Sequence, residues 1–144
     1  MSKTIPKSLR QAAAKRAGFC CEYCRIPDID SYYGFQVDHI ISRKHDGLTV
    51  LKNLAYACPD CNRYKGTDLG TYLDQPFIFI RLFNPRLDNW NEHFEIDELG
   101  LISSKTKIGE ATIKILAINH PDRIIERKFL LKLGLIFTTN QKKI

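Results

Sequence analysis

The chain has 144 residues, 44% hydrophobic and 10% aromatic, which is the usual length of one domain and enough apolar matter to bury a core. A largely disordered chain is thereby excluded. Lys plus Arg (22) exceed Asp plus Glu (16) for a formal net charge of +6, and the excess divides evenly on either side of Asp74 instead of forming a basic tail. That balance is compatible with a polyanionic partner without specifying one. No run approaches the roughly 18 apolar residues of a membrane span. The opening Met-Ser-Lys-Thr-Ile-Pro-Lys leads into charged residues and lacks the apolar core of a secretion signal. The expected location is therefore the cytoplasm, where disulfides are rare.

In chain order, Lys7 to Ala17 is rich in helix formers, with Pro6 near its start and Gly18 after its end, and predicts a short amphipathic helix. A cysteine-containing turn follows. Tyr32 to Ile41 reads as a strand through the alternation of Phe35-Gln36-Val37-Asp38. A polar loop with Lys44, His45, Asp46 and Gly47 leads to a second short strand within Leu51–Ala57. After Cys58-Pro59-Asp60-Cys61 comes a short helix ended by Gly66. Beyond Asp74-Gln75-Pro76, Phe77 to Phe83 predicts a strand that Pro85 breaks, and His93–Asp97 with Leu101–Ser104 a hairpin around Gly100. Gly109–Ile118 and Asp122–Leu133 predict two helices with Pro121 near their junction, and the Ile and Leu residues at helical spacing in 113–135 are assigned to the core. The class is α+β. The expected division is 1–74 and 75–144, packed as one unit because no long flexible linker separates them.

Cys21-x-x-Cys24 and Cys58-x-x-Cys61 are separated by 33 residues. Two residues between cysteines let both thiolates of a turn reach one ion, and two such knuckles complete a tetrahedron, which suits Zn2+. Binding of this kind adds about 10–16 kcal/mol of apparent free energy in small domains. Cys20 is the fifth cysteine. As a ligand in place of Cys21 it would leave three intervening residues before Cys24, so it is assigned to the core as a small residue. A redox pair is the competing reading of one C-x-x-C, but it needs no second copy. Zinc held by four cysteines has no open position for substrate, so this metal builds structure and chemistry must come from elsewhere.

Between the knuckles, Asp38-His39 ends the first predicted strand, Asn53 follows after 13 intervening residues, and Asn62 comes directly after Cys61. Asp38 and Asn62 offer hard oxygen ligands suited to Mg2+ or Mn2+. His39, with an imidazole that ordinarily titrates near ~6.5, is a candidate acceptor for a proton from water. Taken singly, Asn62 is more often a helix cap than a ligand, and Asn53 more often a turn residue. Arg43, Lys44, Arg63 and Lys65 flank this set as candidate phosphate contacts, with Tyr64 packing on sugar or base; a solvated face is the alternative. His45 is expected to be exposed, and His93 to be a satisfied structural histidine.

The pattern Cys21-x-x-Cys24, Val37-Asp38-His39-Ile40-Ile41, Asn53-Leu54, Cys58-x-x-Cys61-Asn62-x-x-Lys65-Gly66 resembles the HNH endonuclease family over about residues 16–68. The resemblance implies a ββα-metal module in which Asp38 and Asn62 hold one catalytic Mg2+ or Mn2+ and His39 is the general base. Asn53 would shape the loop and help hold His39 through hydrogen bonding. The expected reaction is metal-dependent cleavage of DNA to 5′-phosphate and 3′-hydroxyl ends, with RNA left open and no oligomeric state specified. Asn62 stands where some members have His, an accepted variant. The segments Leu82-Phe83-Asn84-Pro85-Arg86, Trp90-x-x-His93-Phe94 and Gly109-x-Ala111-Thr112 also resemble the extension of a bacterial subgroup of HNH proteins, here a small α/β extension. Two other classes compete: a non-catalytic zinc-ribbon-like nucleic-acid-binding module, and a zinc-stabilised protein-interaction domain.

Overall fold

The alanine-rich segment Lys7–Arg16 forms the first helix, α1, in a computed structural model that describes residues 4–29 and 34–139. Pro6 precedes the helix, where its missing N–H is no loss, and Lys15 and Arg16 occupy the last turn, where cations favour the helix dipole. β1 (Gln36–His39) pairs antiparallel with β2 (Leu54–Ala57), setting Val37 opposite Tyr56, Asp38 opposite Ala55 and His39 opposite Leu54. The predicted strand is longer. Its residues Tyr32 and Tyr33 lie outside the described residues, and at the other end pairing stops at His39. From there the Ile40 amide donates to the Asn53 carbonyl (2.8 Å) and the chain enters a 3-10 turn, Arg43–His45.

The predicted second strand divides in the same way. Leu51–Asn53 is a 3-10 turn, and the four residues of β2 that follow are all buried. α2 (Pro59–Lys65) begins earlier than predicted, with Pro59 in its first turn and the Cys58 sulfur accepting the Cys61 amide as a cap. Cys61 and Asn62 therefore both sit on the helix. The order strand, loop, strand, helix is as expected.

The second half opens with a strand that carries no sequence signal, β3 (Gly70–Tyr72), paired with β4 (Phe79–Arg81) in a hairpin that straddles Asp74. β4 is only the middle of the predicted Phe77–Phe83 strand; Phe77 is 94% exposed, and Leu82 and Phe83 turn into the core. A four-residue helix, α3 (Trp90–His93), capped by Asn89, leads into β5 (Phe94–Ile96). β5 pairs with β6 (Ile102–Ser104) as the predicted hairpin. α4 (Lys107–Ile115) and α5 (Pro121–Lys132) follow close to the expected bounds.

One cluster of buried residues runs from the four paired cysteines through Leu82, Phe83, Trp90 and Phe94 to Ile102, Leu116 and Ile118. Residues on both sides of Asp74 share it. The quoted segments of the second half are its joints to the first. The Trp90 indole donates to the Tyr23 carbonyl inside the first knuckle (2.8 Å). Arg86 donates to the Leu54 carbonyl (2.8 Å) and pairs with Glu22. Thr112 accepts the Phe83 amide (2.8 Å) and donates to Ile108 (2.7 Å), tying α4 to the end of β4.

Two core assignments are corrected. α5 buries Arg123 and Arg127 and exposes Ile125 (66%), Phe129 and Leu133, the inverse of what aliphatic spacing implies, although Leu116 and Ile118 are fully buried as expected. The cause is the set of acceptors beneath α5, described below. Cys20 is partly exposed, its sulfur turned towards the Gly18 carbonyl and away from the core. Among the described residues, no helix is long and apolar enough to cross a membrane.

Candidate functional site

Cys21 and Cys24 flank a turn that ends at Arg25 in the left-handed region (φ 72°), and Cys58 and Cys61 span the start of α2. Their four sulfurs lie within 4.8 Å of one another, with Cys24 and Cys58 Sγ 3.7 Å apart. A tetrahedron with metal–sulfur bonds of about 2.3 Å has edges of about 3.8 Å, so the donor set fits a structural ion such as Zn2+. All four cysteines are fully buried. In each knuckle the amide of the second cysteine donates to the sulfur of the first, at 3.5 Å for Cys24 and 3.4 Å for Cys61. Arg123 of α5 adds a side-chain donor: Nη2 lies 2.9 Å from Cys61 Sγ and 3.7 Å from Cys58 Sγ. Cys20 is outside the cluster.

Asp38 and His39 end β1, with Asp38 facing the same side as Gln36. The His39 ring is largely buried, and its Nε2 meets the Thr49 hydroxyl at 2.8 Å. Arg43 donates to that same hydroxyl oxygen at 2.8 Å. Burial pushes the His39 pKa below the ordinary histidine value; Asp38 pulls it up, and Arg43 and Lys65 push it further down. The net effect favours neutral imidazole at neutral pH.

Asn53 acts on backbone. Its amide donates to the carbonyls of Ile41 and Leu48 (both 2.9 Å), and its side-chain oxygen accepts the Ile41 amide (3.0 Å). These bonds close the loop after His39 into a rigid turn. Within it Gly47 is pressed so tightly that a Cβ would lie 1.6 Å from the Ile41 carbonyl oxygen. The hydroxyl that touches the His39 ring comes from Thr49, a residue with no signal in the sequence beyond its place in the loop.

Asn62 and Arg63 of α2 line a cleft of about 1160 Å³ with Gln36 of β1 and Phe129 of α5. Among the described residues, neither the Asp38 carboxylate nor the Asn62 amide group makes a side-chain hydrogen bond, so both keep their oxygens uncommitted. Lys44 is likewise without an ion pair, while Arg63 pairs with Asp60 (3.2 Å) and lies over the Tyr64 ring (5.0 Å). Lys65 departs from its expected place on the phosphate-contacting face. It is 4% exposed, and its ammonium donates to the carbonyls of Ile40 (3.0 Å) and His39 (3.4 Å). Four residues after Cys61, it falls on the inner face of α2, where the strand end offers acceptors. His45 is exposed as expected, and His93 bonds Thr106 (2.6 Å) and packs on Phe83.

Arg123 and Arg127 also escape sequence reasoning. The available signal is their spacing of four, which puts two charges on one stripe of α5 facing the core.

No curated protein and no solved structure matches the chain. The model of the HNH endonuclease family matches residues 21–68, the stretch that holds both cysteine pairs, the β1–β2 hairpin and α2. With the order strand, loop, strand, helix and four convergent cysteines in that stretch, residues 21–68 of this α+β chain carry the features of the HNH endonuclease domain whose model they match.

Proposed function

We propose that the chain is a metal-dependent DNA endonuclease that hydrolyses phosphodiester bonds to 5′-phosphate and 3′-hydroxyl ends. The observation that carries this reading is the HNH endonuclease match over residues 21–68, with Asp38 and His39 at the end of β1 and Asn62 on α2, which packs on β1. The Asp38 and Asn62 side chains make no hydrogen bond among the described residues, and burial favours the neutral form of His39. Mg2+ or Mn2+ held by Asp38 and Asn62 would stabilise charge growing on the phosphate and the leaving oxygen. With Nε2 held at the Thr49 hydroxyl, His39 is the general base that takes the proton of the attacking water, a role typically worth about 10²–10⁴-fold. Asn53 keeps the adjoining turn rigid. Arg43, Lys44 and Arg63 contact phosphates, while Lys65 works from inside by fixing the strand end. The exposed Lys7, Arg10 and Lys15 of α1, without ion pairs among the described residues, extend the basic surface. Contacts of this kind give Kd values of roughly 10⁻⁴ to 10⁻⁶ M and weaken with salt.

The test is conversion of supercoiled plasmid to nicked or linear DNA in Mg2+ or Mn2+, with wild type and His39→Ala side by side. Cleavage that collapses in the variant supports the reading. Equal cleavage by both overturns the role of His39. No cleavage by zinc-loaded wild type, with salt-sensitive DNA binding retained, turns the assignment to a non-catalytic binding module.

A further inference from the structure

Two guanidinium groups from α5 lie buried in the core beside the cysteine cluster. Arg123 spans it: Nη1 donates to the carbonyls of Leu116 (2.7 Å) and Ala117 (3.2 Å), and Nη2 to Cys61 Sγ (2.9 Å). Arg127, one turn further on, is fully buried and donates to the Gly100 carbonyl (2.7 Å), the Ile118 carbonyl (2.8 Å) and Asn119 Oδ1 (2.9 Å). All of Arg127's acceptors are neutral. Arg123 has one carboxylate within reach, Asp60, at 3.9 Å from Nε and 40% exposed. Glu126, exposed and between them in sequence, attracts both guanidiniums through space but forms no ion pair with either. Buried charges require an opposite charge or a metal site nearby. The anionic group at hand is the cysteine cluster, since four thiolates around Zn2+ carry two negative charges that the backbone amides of the knuckles screen only in part.

We propose that Arg123 and Arg127 are the counter-charge of the buried metal–tetrathiolate centre, which makes α5 an outer wall of the metal site and latches the second half of the chain to the first. Arg123 is the direct contact, a charge-assisted N–H···S bond to a ligating sulfur; Arg127 balances the second charge from behind it. The backbone is built for this approach. Gly100, at φ +85°, sits so close to α5 that a Cβ would lie 2.6 Å from the Ile124 carbonyl oxygen, and its own carbonyl receives Arg127. When the metal leaves, nothing holds the four sulfurs together, and both guanidiniums lose the anionic site they are packed against. Metal loss is then transmitted to α5 and the β5–β6 turn, beyond the HNH segment. This inference rests on the cysteine site alone and does not depend on the nuclease reading.

The experiment uses the zinc-loaded full chain and the variants Arg123→Met, Arg123→Lys and Arg127→Met, with Arg81→Met as a control on an arginine paired to Asp88. Zinc release to a chromophoric chelator is timed at fixed pH. Outer-shell partners of metal ligands are typically worth 10–100-fold, so Arg123→Met is expected to release zinc at least about 10-fold faster, with Arg123→Lys intermediate and Arg81→Met unchanged. Release at the wild-type rate from folded Arg123→Met and Arg127→Met overturns the proposal. A second measurement needs no variant: amide exchange of the wild type before and after zinc is stripped. The expected result is loss of protection across residues 121–132 together with the knuckles; α5 protection that survives zinc removal overturns the latch.

Discussion

His39 Nε2 lies 2.8 Å from the Thr49 hydroxyl, and Arg43 donates to the same oxygen at 2.8 Å. The Arg43 bond anchors the hydroxyl, and the hydroxyl in turn holds the plane of the imidazole, whichever of the two gives the proton between them. Thr49→Val keeps the shape and removes the hydroxyl. Single-turnover plasmid cleavage is expected to fall on the order of 10- to 100-fold, the scale of a misplaced catalytic group, while Thr49→Ser stays close to wild type. A Thr49→Val enzyme of wild-type rate would sink this positioning role.

The pH dependence follows from the same ring. A depressed pKa means that the protonated form of His39, which cannot serve as the proposed base, accumulates only below the ordinary histidine value of about 6.5. The acid limb of the cleavage rate is therefore expected below that value. Arg43 is one of the charges pushing the ring down, so Arg43→Gln is expected to move the limb up, whatever it does to the plateau. A limb above ordinary histidine in the wild type would contradict the burial of the ring.

Lys65 and Lys44 are expected to separate cleanly. Lys65→Met leaves two carbonyls at the end of β1 without a donor, and urea unfolding should show a loss of about 1–3 kcal/mol. The salt slope of DNA binding should stay as it was. Lys44→Ala should leave stability alone and reduce the slope of log K against log salt by about one, as for a lost phosphate contact. The reverse pattern would put Lys65 back on the binding face.

Asn53→Ala removes three side-chain hydrogen bonds from the turn after His39, so a loss of about 1–3 kcal/mol is expected. Amide exchange should accelerate across residues 41–53 before it does in α4 or α5. Asn53→Asp keeps the acceptor for the Ile41 amide and loses both donors, which should place it between alanine and wild type. Uniform acceleration over the whole chain would mean that the turn is not an independent unit.

The parts of the fold legible in the sequence are those fixed by local rules. Cysteine spacing announces the metal cluster because a knuckle is a turn of set length, and Pro6 and Pro121 mark helix starts because a ring nitrogen is harmless there, a signal that Pro59 also carried unread. β3 is three residues long and α3 four, too short for a period to register, although Asn89 is a serviceable cap signal. What escaped reading are groups whose place is set by a distant partner. Lys65 is buried because carbonyls 25 and 26 residues earlier need a donor. Arg123 is buried because a sulfur 62 residues away attracts it. Lys and Arg ordinarily belong to the surface, and nothing local to either residue says otherwise.

The tetrathiolate also alters how the chain looks to a polyanion. A formal charge of +6 counts every cysteine as neutral and every cation as facing outward. Loading zinc lowers the total by two, the charge that Arg123 and Arg127 face, and Lys65 is enclosed where it cannot touch a phosphate. The loaded protein is thus a weaker magnet for nucleic acid than its composition implies, with its attraction concentrated on a few exposed side chains. Stripped of zinc, the same chain regains positive charge while it loses shape. Zinc loss is therefore expected to raise background retention on immobilised DNA, which a comparison of zinc-stripped with zinc-loaded protein checks.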